Sequence, residues 1–147
     1  MSTKENKELD RQFFNDANTF RGDIAKAPIM AEKYFAPGWI FHHTSRGDMN
    51  REQFIQFMIE FSTAFPDFKF SIDDQVAEGD KVVTIYTVQG THRGQYGGIP
   101  ATGKQVAIKG VSIDKIVEGK FVEIWDFPDS LGMMTQLGVV PGAAPKK

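Results

Sequence analysis

The chain contains no cysteine, which excludes disulfides and thiol catalysis. It holds only three histidines, and none stands in a His-x-His or His-Glu-x-x-His spacing, so no metal site is expected. No run of about 18 apolar residues exists, so no membrane span is expected. Residues 1–10 are polar and charged, unlike a secretory signal. With no other address legible, the expected compartment is the cytoplasm. The 17 basic and 19 acidic side chains are interspersed and leave a net charge of −2. No basic stripe argues for nucleic acid, and no acidic run argues for a charged partner. Repeats and an internal linker are also missing. The expectation is one domain over 1–147, with a core at about 8–138 and a frayed tail at 139–147.

What the chain does have is phenylalanine. Thirteen of its 147 residues are Phe, enough for a bulky core or a cavity lined by rings. Leu9, Phe13, Phe14, Ala17 and Phe20 recur at helical spacing and predict a helix over 5–21. A second helix is expected at 27–35, with Pro28 in its first turn. Pro37-Gly38 breaks it. Trp39 to His42 reads as a short strand. Asn50 and Gln53 have the spacing of a capping box, ahead of a helix carrying Phe54, Phe57, Met58 and Phe61.

From Phe65 onward the period changes to two, with Phe68, Phe70 and Ile72 alternating with Lys69, Ser71 and Asp73. Strands are expected up to Gly79-Asp80, over Val82–Gln89, over Val106–Val117 and over Phe121–Phe127. Glu118-Gly119 is a tight hairpin turn. The loop 93–104 is rich in glycine and is either a lid or a tight bend. Residues 130–137 form a last short helix. Helices first and a strand meander after argue for the α+β class: a cone-shaped, curved antiparallel sheet wrapped around N-terminal helices, open at one end.

At this point the motifs resemble the SnoaL-like polyketide cyclase family, within the nuclear-transport-factor-2-like superfamily. The resemblance is carried by Tyr34 to His42, Ala64-Phe65-Pro66-Asp67, Ala77-Glu78-Gly79-Asp80 and Gly90-Thr91-His92-Arg93-Gly94. It continues through Thr102-Gly103-Lys104, Glu118-Gly119-Lys120, Glu123-Ile124-Trp125, Asp129 and Gln136-Leu137-Gly138. Each motif is weak, but their order and spacing are specific. The chain departs from the family pattern at Gly38, at Ala101, and at Asp126, an extra acid beside the tryptophan. The resemblance implies a cone-shaped α+β barrel, a homodimer, and a cofactor-free cyclase that closes a ring in a polyketide ester by an intramolecular aldol reaction. It matches the family's acid–base Asp to Asp129 and its Gly-Thr-His motif to His92.

Alternation along a strand puts Trp125, Phe127 and Asp129 on one face. If Trp125 points inward, Asp129 follows it into an apolar cup that raises its pKa. The competing use of Asp129 is an N-cap. His92, at a strand end, would stabilise an enolate oxygen; otherwise it is a loop histidine. Of His42 and His43 at most one faces the cup, and the family pattern points to His42. Trp125, Tyr86, Trp39 and Phe61 complete the expected substrate-binding set. The expected ligand is a small hydrophobic carbonyl compound. Three alternatives stay open: a non-catalytic binder of apolar ligands, another isomerase or hydratase on the same scaffold, and a protein-interaction domain.

Overall fold

A computed structural model describes residues 2–20 and 23–139. The frayed tail expected at 139–147 lies almost wholly outside the described residues. The elements run α1 (Thr3–Phe20), a 3-10 turn (Ile24–Lys26), α2 (Ala27–Tyr34), β1 (Phe35–His43), β2 (Gly47–Met49), α3 (Arg51–Ala64), β3 (Lys69–Glu78), β4 (Lys81–Thr91), β5 (Gln105–Val117), β6 (Lys120–Pro128) and α4 (Ser130–Gln136). They form the α+β arrangement expected, with α1 packed on β3 and β4 of one six-stranded sheet.

The local signals act as their chemistry requires. Pro28 sits in the first turn of α2, where its missing N–H costs nothing. Asn50 accepts from the Gln53 backbone N–H while the Gln53 side chain accepts from the Asn50 N–H, each at 2.9 Å. Glu118 and Gly119 both have positive φ, the requirement of a tight turn whose twist matches its two strands.

The strand order is β2-β1-β6-β5-β4-β3. Four of the pairings are antiparallel, but β1 runs parallel to β6, so the sheet is mixed rather than purely antiparallel. Parallel partners need a long connection, and here α3 and the whole β3–β5 meander supply it. The β1 strand also begins earlier than Trp39. Pro37-Gly38 does not end a helix; it forms a bulge within the strand, with Gly38 at φ 79°. Across it the register jumps from Phe35 opposite Phe121 to Ile40 opposite Glu123. Such an insertion bends the strand.

The core has two lobes. Phe61, Phe65, Phe68 and Tyr86 centre one, and Tyr34, Phe35, Trp39, Phe54 and Phe121 the other. Trp39 is buried in the second, stacked on Phe35 with ring centroids 3.9 Å apart.

One polar pair interrupts the core. Asp10 of α1 and Asp114 of β5 are both buried. Thr84 donates to one Asp10 oxygen at 2.7 Å, and Ser112 to one Asp114 oxygen at 3.2 Å. The second oxygen of each carboxyl is buried with no conventional donor, and the two carboxyls contact one another. Two acceptors facing one another require a shared proton. Burial raises both pKa values. The folded state thus binds protons that the unfolded chain releases. The pair's contribution is fully present at low pH and is lost as pH rises through the raised folded values. Asp114→Asn supplies a permanent donor to Asp10. We expect it to flatten the alkaline fall in stability, whereas Asp10→Ala costs about 1–3 kcal/mol by stranding Thr84 and Asp114. Urea unfolding of the three proteins across a pH series measures both effects.

Candidate active site

Between α3, the inner face of the sheet and the loop 94–103 lies a cavity of about 380 Å³. Aromatic and aliphatic side chains make most of its wall, among them Phe57, Phe61, Phe70, Tyr96, Ile108 and Met133. Its polar atoms come from Asp126 and Tyr86 deep in the sheet, from His43, and from Ser45, Arg46 and Ser130.

Asp126 is placed by a bulge. On β6, Glu123 faces Lys115 and Phe121 faces Ile116, which leaves Val122 as an extra residue. The bulge sets Phe121, Ile124 and Asp126 inward, and Trp125 outward. Asp126 then lies opposite Ser112 of β5 and, through the parallel pairing, opposite His43 of β1. That register brings His43 and Asp126 to the same wall, although 82 residues separate them in sequence.

Tyr86 completes the group. Its hydroxyl donates to Asp126 Oδ1 at 2.7 Å. It reaches that far because its partner across the ladder is Gly110: a methyl group at Gly110 would overlap the Tyr86 ring and hydroxyl. Desolvation pushes the Asp126 pKa up to about 6, opposed by the hydrogen bonds from Tyr86 and the Phe127 backbone. Desolvation, with the Asp126 charge beside it, raises Tyr86 still further, so its hydroxyl keeps its proton.

His43 is buried. Its Nδ1 accepts from the backbone N–H groups of Ser45 and Arg46, both at 3.2 Å, and lies 3.2 Å from the Ser45 hydroxyl. Donors converging on Nδ1 assign the proton of the neutral ring to Nε2. Burial, aided by the Arg46 charge, lowers its pKa to about 4, so the ring is a neutral hydrogen-bond donor at neutral pH.

The mouth is closed on one side by Arg46. Its guanidinium pairs with Glu60 at 2.9 Å and lies 4.8 Å from the centroids of both Phe57 and Tyr96. Glu60 also accepts from the Gly97 N–H at 2.9 Å. That bond fastens the glycine loop to α3.

Of the residues singled out from sequence, Tyr86 and Phe61 line this cavity and the others do not. Asp129 is exposed and caps α4, accepting from the Gly132 N–H at 2.8 Å. His92 is buried against Phe65, 5.3 Å between ring centroids, with Nδ1 accepting from the Thr102 N–H. The structure therefore does not bring Asp129 and His92 together. His42 points to the outer face, bound at 2.6 Å by Asp48 and again by Glu123, and stacked on Trp125. Trp39 belongs to the core. The titratable cavity residues that the sequence reading did not single out are Asp126 and His43. The inward set of β6 depends on a bulge that alternation cannot reveal. The one available signal was Asp126 itself, an acid within a strand.

Among the described residues no group of three or more His, Asp or Glu is arranged to hold a metal ion. No helix among them is long and apolar enough to cross a membrane.

Comparison with known proteins agrees with this architecture. The aklanonic acid methyl ester cyclase DnrD of Streptomyces peucetius is 30% identical over 133 residues, covering 89% of either chain. Among solved structures, AclR of Streptomyces galilaeus, a candidate hydroxylase by its description, superposes with a TM-score of 0.82 at 26% identity, over 99% of this chain and 87% of its own. TsrD of Streptomyces laurentii gives 0.79 at 27% identity, over 95% and 99%. Residues 12–137 match the family model of SnoaL-like polyketide cyclases, and the chain belongs to that family.

Proposed function

We propose that this protein is a cyclase that closes a ring in a polyketide ester by an intramolecular aldol reaction, with Asp126 as its acid–base group. The observation that carries the reading is a carboxyl held at a pKa of about 6 inside an aromatic cavity. That value suits a group that must accept a proton at neutral pH and return it. The similarity to DnrD supports the substrate class. AclR carries a different description on the same scaffold, so the assignment rests on the site and not on the fold.

The chemistry uses residues already placed. Asp126 takes a proton from the carbon between or beside two carbonyls. His43 Nε2–H donates to the enolate oxygen, as a fixed dipole that needs no reorganisation. The enolate carbon attacks the second carbonyl carbon, a C–C bond forms, and the new alkoxide takes the proton back from Asp126. The balance is closed within the substrate and one carboxyl. The aromatic walls hold the two reacting ends together, which removes most of the entropic barrier to ring closure. Tyr86 fixes the carboxylate orientation and favours its charged form.

A homodimer belongs to the same reading. On the outer sheet face Trp125, Ile113, Val83 and Val76 lie in one register row across four strands, with Phe127, Val111 and Ile85 in the next. Val76 and Phe127 are 61% and 45% exposed. An apolar row of this width suits a second sheet.

Three outcomes are expected. Asp126→Asn lowers turnover of an aklanonic-type ester by about 10²–10⁴-fold, while Asp129→Ala, a lost cap, costs about 1 kcal/mol of stability and leaves turnover near the wild type; equal losses in both variants would move the base to Asp129. Tyr86→Phe removes a donor to the carboxylate, so the Asp126 pKa rises above about 6, which carboxyl-carbon NMR titration reads directly. Light scattering gives twice the 16.5 kDa chain mass for the wild type, and the single mass for Ile113→Glu.

A further inference from the structure

A second, smaller chamber of about 80 Å³ opens off the main cavity beside Asp126. The two share the walls formed by Phe57, Met58, Phe70, Tyr86 and Asp126. Beyond them the chamber runs under α1, between Phe13, Phe14, Ala17, Phe41, Phe54 and Ile124. Its only other polar residues are Ser112 and Asp114, and these are already occupied. Ser112 donates to Asp114, and the Asp114 carboxyl contacts that of Asp10.

Water is a poor occupant here. A buried water needs two to four polar partners, and these gather at Asp126 and Tyr86, where the chamber meets the cavity, while the rings and methyls under α1 offer none. An apolar cavity of roughly 150 Å³ takes a benzene ring, so 80 Å³ takes about half as many carbons. The polar groups Ser45, Arg46 and Ser130 all belong to the outer cavity and none to the chamber. A ligand with one polar and one alkyl end therefore has a defined direction.

We infer that the chamber is a subsite for a short unbranched alkyl substituent, two to three carbons long, on or next to the carbon that Asp126 deprotonates. The inference rests on Asp126 as the base and adds what the acidic carbon carries. The substrate class is an alkyl-substituted β-keto ester, oriented with its ester toward the mouth. Ala17 carries the smallest apolar side chain in the wall, so enlarging it fills the chamber, and Phe54 is a bulky wall residue whose shortening enlarges it.

The test uses methyl acetoacetates bearing hydrogen, methyl, ethyl, propyl, butyl or pentyl at C2, with affinity measured by ligand-observed NMR. For the wild type, Kd is expected to fall about fourfold per added carbon through propyl and to stop improving at butyl. In Ala17→Leu the ratio of Kd between the hydrogen and propyl members collapses toward one. In Phe54→Leu the gain extends by at least one carbon, so one variant reads the chamber even where the other fails to fold. A gain that continues to pentyl, no gain at any length, or an unchanged series in both variants overturns the subsite. Deuterium exchange at C2 in the same samples separates this from the proposed reaction. Exchange that survives Asp126→Asn while the length dependence holds removes the base and keeps the chamber. Exchange lost in Asp126→Asn with a flat length series does the reverse.

Discussion

The hydrogen bond from Tyr86 to Asp126 is the contact on which the interior is arranged. It joins β4 to β6 across β5, and it exists only because Gly110 leaves the space between them empty. A carboxyl in a cavity walled by rings is held against its solvation. Lifting its pKa from 3.8 to about 6 means about 3 kcal/mol of lost stability at neutral pH. The sheet must supply that from elsewhere, and the long β4–β5 pairing, Lys81 to Thr91 against Gln105 to Lys115, is its most extensive register.

The same constraint explains the other acids. Asp10 and Asp114 lie next to this wall, and the negative charge of Asp126 is one of the causes that hold Asp114 protonated. Three carboxyls crowd one side of the core, yet they need not carry three charges. The shared proton keeps the pair at one charge, and the second lies on the carboxyl that faces the cavity. The histidine follows the opposite rule. Burial holds His43 neutral, whereas outside the sheet Asp48 and Glu123 favour the charged form of His42. The pKa values of adjacent residues on one strand are therefore driven in opposite directions by the two faces of the sheet.

Much of the fold was legible because its signals are local. The Asn50–Gln53 box, the Pro28 start, the Glu118-Gly119 turn and the period-two strands each follow from a few neighbouring residues. The site was less legible because non-local register builds it. Alternation from Trp125 led to Asp129, but the bulge at Val122 and the parallel pairing with β1 turn Asp126 and His43 inward. The buried face of α1 was legible only in its apolar residues, for a related reason. Asn6 and Asp10 lie on it with Phe14 and Ala17, and a search for an apolar stripe passes over polar residues whose partners come from distant strands. Asp129 and His92 carried family motifs, yet here one closes a helix end and the other fills a core position beside Phe65.

The fastening of the glycine loop has a consequence for traffic. Gly97 is tied to α3 through Glu60, and Glu60 is in turn held by Arg46, which is sandwiched between Phe57 and Tyr96. Entry on that side is thus governed by a charge pair resting on two rings, not by a hydrophobic flap. Ionic strength weakens such a pair far more than it weakens apolar packing. Raising the salt is therefore expected to speed exchange of the cavity's contents more than it changes the affinity of the apolar interior for them.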